Sequence, residues 1–133
     1  MKKEWSSRWL ASSQPRKQRK YVHNAPLHVR RKFLSAHLSP VLRKRYNRRS
    51  LPVRKGDEVM VTTGSMKGRK GMVEKVSVKE GKVYIENMKA KKSDGSEVMR
   101  PVQPSNLLIM NVKMEDKKRG KAIDRSAPKE AGK

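Results

Sequence analysis

Eight consecutive residues, GSMKGRKG from Gly64 to Gly71, carry three glycines and the cations Lys67, Arg69 and Lys70. Glycine lets a backbone turn tightly and approach a ligand, and clustered cations attract phosphate, so the chemistry on offer is anion recognition. A Walker A loop is excluded: Arg69 stands where its second glycine is required, and no Ser or Thr follows Lys70. Gly68-Arg69-Lys70-Gly71 fits the GXXG of a KH domain, but that tetrapeptide joins two helices, whereas strand patterns flank it here. A plain hairpin turn explains the glycines and leaves the charges merely exposed. The preferred reading combines the two: a tight turn that comes close to a phosphate, with the three cations projecting from its rim.

Catalytic chemistry has little to build on. His23, His28 and His37 are the only imidazoles, and no acid lies between residues 5 and 56 to orient them. Asp57-Glu58 is the only adjacent carboxylate pair in the central region, and a turn in which Asp57 bonds local backbone explains it better than acid–base work. The absence of cysteine removes disulfides, thiol catalysis and zinc fingers or knuckles. No enzyme, cofactor, metal or small-molecule substrate is expected.

The net charge of +23 points to a polyanionic partner. It is uneven: residues 1–55 carry 17 basic residues against one acid, Glu4, a net of +16. Residues 56–112 net +3 and residues 113–133 net +4. With 35% charged and 34% hydrophobic residues, a small folded unit with solvated extensions is expected, part folded when free. A membrane is a weak rival, since no apolar run approaches the roughly 18–20 residues that span a bilayer. No secretory signal is visible, and a Ser- and Arg-rich transit peptide at the N-terminus is a minor alternative.

Four segments must position these residues. Residues 1–25 read as an extended basic arm in which RKQRKYVHN threads along phosphates and the ring of Tyr21 stacks on a base. Residues 26–50 read as two short basic helices. Asn24 caps the first, with Pro26 in its first turn and Leu27, Leu34 and Leu38, with Val29 and Phe33, at helical spacing as its apolar face, and Ser39-Pro40 opens the second. Trp5 and Trp9, four apart, could pack together on a helix, on RNA or on a neighbouring protein. Residues 51–112 switch to period two, with five short strands at EVMVTT, GMVEKVSV, KVYIEN, EVMRPV and NLLIMNV, so the fold class is mainly β, a small SH3-like barrel. Val73 is out of phase with Val76 and Val78, which requires a bulge near Glu74-Lys75; a hairpin centres on Glu80-Gly81; Pro101 places the fourth strand at an edge. Residues 113–133 read as a charged flexible tail, disordered or loosely helical when free.

RKGDEVMVTTGSMKGRKGMVEKV, residues 54–76, resembles the KOW motif, with Gly68 as its characteristic glycine. KVYIENM and PSNLLI extend the likeness to the family of the large-subunit ribosomal protein numbered twenty-four in the universal scheme. HNAPLHVRRKFLSAHLSPVLRKRYNRR resembles that family's archaeal and eukaryotic branch, whose eukaryotic member is protein twenty-six. The match spans roughly residues 20–112. The first 15 residues and the short tail depart from the eukaryotic pattern, so the archaeal branch fits best.

The resemblance implies a structural ribosomal protein that binds the 5′ domain of the large-subunit rRNA, aids early assembly and sits near the polypeptide exit tunnel. Its implied partners are rRNA and neighbouring ribosomal proteins, without membrane insertion or homo-oligomerisation, in the cytoplasm. A free regulatory KOW protein and an SH3-type peptide adaptor are the alternatives; the second needs an aromatic groove, and only Tyr84 lies in the strands. The main expected RNA contacts are Arg16, Lys17, Arg19, Lys20, Arg30, Arg31, Arg43, Arg45, Arg48 and Arg49, with Lys67, Gly68, Arg69 and Lys70 at the corner. Tyr21, His23, Asn24, His28, Lys32, Lys44, Arg54 and Lys55 join them, and Lys89, Lys91 and Lys92 form a weaker second patch.

Overall fold

The computed structural model describes residues 4–125. Seven strands form one mixed sheet: β1 (Ser35–Leu38), β2 (Ser50–Pro52), β3 (Glu58–Val61), β4 (Lys70–Ser77), β5 (Lys82–Lys91), β6 (Glu97–Val102) and β7 (Leu107–Asn111). Their order is β2-β1-β7-β3-β4-β5-β6. The fold is mainly β and SH3-like, with helices α1 (Pro15–His23), α2 (Leu27–Phe33), α3 (Pro40–Tyr46) and α4 (Lys117–Asp124) around it. All five expected strands are present. β6, which holds Pro101, ends the sheet, where a residue without an N–H costs no ladder bond.

Alternation fixes the core. Val59 and Val61 of β3, Val83 and Ile85 of β5, and Leu107 and Ile109 of β7 are all buried, while their neighbours face outward. Each such side chain contributes roughly 1.5–3 kcal/mol on burial. On β4 the register against β5 slips between Val73 and Lys75, so the expected bulge is there. It lets Val73 reach the core while Val76 packs at its margin. The β4–β5 hairpin turns through Gly81, as the spacing required.

Several expectations are corrected. The arm is not extended: residues 15–23 form α1, opened by Pro15 at a position where a missing N–H is harmless. The first of the two basic helices stops at Phe33, and SAHL becomes β1, which pairs with β2 on one side and runs parallel to β7 on the other. Leu38 therefore enters the core from a strand, not from a helix face. Asn24 does not cap α2, whose N-cap is Pro26; it closes α1, and its amide donates to Glu4 O at 2.9 Å. Ser39 does cap α3, accepting from Leu42 N.

The start of the tail is helical, as one of the two expected readings had it, but it is docked on the barrel and not loose. Residues 117–124 form α4, N-capped by Asp116, and its Ile123 is buried in the main core. Arg119, 4% exposed, meets the fully buried Asp57 through two parallel bonds of 2.6 and 2.7 Å. Arg119 also donates to Lys113 O and Pro52 O. Asp57 in turn accepts from Arg54 N at 2.9 Å and Lys113 N at 3.1 Å, so the expected local backbone bond exists beside a long-range one. The rest of the expected tail, residues 126–133, lies outside the described residues.

Removing one partner of a buried pair strands a charge in a low-dielectric interior. Asp57→Ala is therefore expected to lower unfolding free energy by roughly 3–5 kcal/mol, measured as a fall in the urea midpoint.

Candidate nucleic-acid interface

The glycine corner joins β3 to β4. Gly64 and Gly68 take φ of +90° and +82°, the left-handed region that side chains avoid. Gly68 N donates to Val61 O at 2.8 Å and Val61 N to Arg69 O at 2.9 Å, which pinches the loop shut. Met66 tucks toward the core and anchors the tip. Gly71 answers a different need: a Cβ there would lie 2.7 Å from Ile85 Cγ2 and 3.0 Å from Glu86 O. Among the described residues, Lys67, Arg69 and Lys70 are exposed and have no side-chain hydrogen bond or ion pair. Thr62 ties the corner to the 3-10 turn Pro104–Asn106 by donating to Asn106 O.

On the helices, Arg16, Lys17 and Arg19 project from α1, Arg31 and Lys32 from α2, and Lys44 from α3, all exposed. His23 and His28 are exposed too, and Arg49 and Lys55 face solvent in the loops that flank β2. Arg48 is half-buried. Other expected contacts already have intramolecular duties. Arg30 donates to Ala25 O at 2.9 Å and to His23 O, and Arg43 to Leu38 O at 2.8 Å, so each guanidinium closes the end of a neighbouring segment. Arg54 pairs with Asp116, Lys20 lies over the Trp9 ring and Arg45 over Tyr46.

Tyr21 differs from expectation. It is buried, stacked on Trp5 at 5.4 Å and tilted against Phe33 at 5.8 Å, so its ring is not offered to a base. Trp5 also donates its indole N–H to Tyr21 O at 3.1 Å, and Trp9 packs on the same cluster. The two tryptophans thus anchor the residues ahead of α1 to that helix. Of the aromatic rings in this cluster, Phe33 is the exposed one, and sequence reading missed it because its spacing looked like core.

The second patch is partly neutralised. Lys89 pairs with Glu97 at 3.0 Å, and Lys91 lies opposite Glu97 in the ladder. Asp94 sits in the turn beside them, its pKa lowered by bonds from the Ser96 hydroxyl and amide. At the β4–β5 hairpin the hydroxyl of Tyr84 donates to Glu80, which pushes the phenol above its ordinary pKa. Among the described residues no group of His, Asp or Glu is arranged to hold a metal, and no helix is long and apolar enough to cross a membrane.

Comparison with known proteins gives a family for this geometry. Residues 12–126 match the family of the eukaryotic ribosomal proteins L26 and their archaeal equivalents. The large ribosomal subunit protein uL24 of Methanosphaera stadtmanae is 44% identical over 114 residues, covering 86% of this chain and 97% of that one. Its counterpart in Methanosarcina barkeri is 46% identical over 114 residues, covering 86% and 98%.

Removing Lys67, Arg69 and Lys70 together by alanine substitution is expected to reduce the salt dependence of binding to a structured RNA, its log–log slope falling by roughly 2. Stability should stay within about 0.5 kcal/mol, because none of the three packs. The same treatment of Lys89, Lys91 and Lys92 should change the slope less. Binding titrations across a salt series check both.

Proposed function

The chain belongs to the ribosomal protein family of eukaryotic L26 and its archaeal counterparts, most like the archaeal members, and on that premise we propose how it serves the large ribosomal subunit. It is a structural ribosomal protein, not an enzyme. Its cationic surfaces bind the 5′ domain of the large-subunit rRNA, help to fold that domain early in assembly, and hold the protein near the exit of the polypeptide tunnel in the cytoplasmic ribosome.

The observation that carries this reading is where charge and order coincide. Residues 5–53 contain no acid, yet they are built into a folded frame by backbone acceptors and aromatic packing instead of carboxylates. Their cations are left outward with no counter-charge in the segment. RNA phosphates and 2′-hydroxyls supply it, and such contacts position a protein without reading sequence. Arg16, Lys17, Arg19, Arg31, Lys32, Lys44, Arg49 and Lys55 form the helical side of this surface, and the corner trio forms the barrel side. Lys20, Arg30, Arg43, Arg45, Arg48 and Arg54 strengthen the field while they hold the frame. His23, Asn24 and His28 border it, and Lys89, Lys91 and Lys92 contribute least. The protein acts as a single copy beside other ribosomal proteins.

Native lysate sedimentation tests this. The protein should travel with the large subunit, withstand a salt wash that strips loosely bound factors, and be released by RNase. Sedimentation near the top of the gradient, or release at modest salt, would replace this reading with that of a free regulatory RNA-binding protein.

A further inference from the structure

An open groove of about 930 Å³ lies where the arm meets the barrel, between α1, the end of α2, the β4–β5 hairpin and the turn Pro104–Asn106. Its size is within the range of ligand sites, about 300–1,000 Å³. Phe33, the one phenylalanine of the chain, lines it and is 38% exposed; Val22, which also lines it, is 56% exposed. Other exposed apolar side chains, such as Val41 and Leu10, do not line this groove; Phe33 and Val22 do so together. The Phe33 ring is not loose, because Tyr21 backs it and Trp5 backs Tyr21.

The groove's polar lining narrows the occupant. Arg19, Arg30 and Lys79 give it positive charge against a single carboxylate, Glu80, which already accepts from Tyr84 at 2.9 Å. Gln103 and Ser105 add neutral donors and acceptors on another wall. A flat ring that stacks, an edge that hydrogen-bonds and a phosphate that meets cations belong together in one molecule: a nucleotide. Acidic side chains alone would satisfy the cations but leave the Phe33 face without a partner, whereas every nucleotide carries both a ring and a phosphate.

We propose that this groove receives an unstacked nucleotide of single-stranded RNA. The base lies on Phe33 beside Val22 and Val78, its edge turns to Gln103 and Ser105, and the flanking phosphates meet Arg19 and Lys79. A duplex cannot enter, because its bases are already stacked and paired. The inference rests on the RNA-binding reading above and adds a base-stacking subsite to a surface otherwise made of phosphate contacts.

The test uses the full chain, a short single-stranded RNA carrying thiouridine, and a duplex RNA of the same length. Phe33→Leu keeps an apolar side chain against Tyr21 but removes the stacking ring. Val22→Asp puts a carboxylate into the groove from an exposed helix position, and Val98→Asp, exposed on β6, matches its charge away from the groove. Both groove variants should weaken single-strand binding about tenfold, with the duplex and Val98→Asp changed by less than about twofold. The photocrosslink should map to α1, the end of α2 or the hairpin. Should Phe33→Leu fail to fold, Val22→Asp and the crosslink decide. Unchanged single-strand binding by the groove variants, or crosslinks only elsewhere, overturns the groove while the RNA-binding reading stands. Failure of the unaltered chain to bind either RNA overturns both.

Discussion

One buried carboxylate organises this molecule. Asp57 accepts bonds from the loop before β3, from the chain leaving β7 and from both arms of the Arg119 guanidinium, while its own carbonyl accepts from Val73 N on β4. The loop before β3, β4, the chain leaving β7 and α4 thus all meet at this one residue, through its carboxylate or its carbonyl. In a chain with 35 cations and 12 acids, this acid is spent on order instead of on surface neutralisation. Its pair is bidentate and each oxygen has a further donor, which is the condition under which a buried ion pair holds its place. Arg119 Nε is buried without a partner among the described residues, so the clamp is not cost-free. What it secures is the seat of α4, whose Ile123 then completes the core.

The N-terminal arm solves the same problem without acids. Trp5, Tyr21 and Phe33 form a small stack, Gln18 gathers the carbonyls of Trp9, Leu10 and Ser12, and Arg30 gathers those of Ala25 and His23. Cations used in this way bind neutral carbonyls, so the positive field survives intact. Holding a basic segment in shape without neutralising it is what an RNA-facing surface requires. Less conformational entropy then remains to be lost when phosphates arrive.

The barrel was legible because its signals are local. Alternation around Val59 and Val83, the three-residue slip after Val73 and the Ser39-Pro40 start each depend on a few adjacent residues. What escaped depends on distance. Asp57 and Arg119 lie 62 residues apart, and Trp5 and Tyr21 lie 16 apart, so neither α4 nor the folded arm announces itself in a local window. α4 left a faint trace: Asp116 as a cap, then Arg119 and Ile123 four apart on one face. β1 was hidden because Leu34 and Leu38 fit a helical spacing as well as Ala36 and Leu38 fit alternation. For the interface, residue type told which side chains carry charge, but not which of them the fold had already engaged. Tyr21 and Phe33 exchanged roles for that reason: burial, not aromatic character, decides which ring meets solvent.

At the centre of all this is a frame that stands by its own contacts before any RNA arrives. Hydrogen–deuterium exchange of the free, full-length chain tests it most directly. Amides of α1 and α4 should exchange far more slowly than in an unstructured chain, alongside the protected barrel strands. Exchange of α1 and α4 at unstructured rates, with only the barrel protected, would contradict it: the arm and tail would then owe their shape to the RNA.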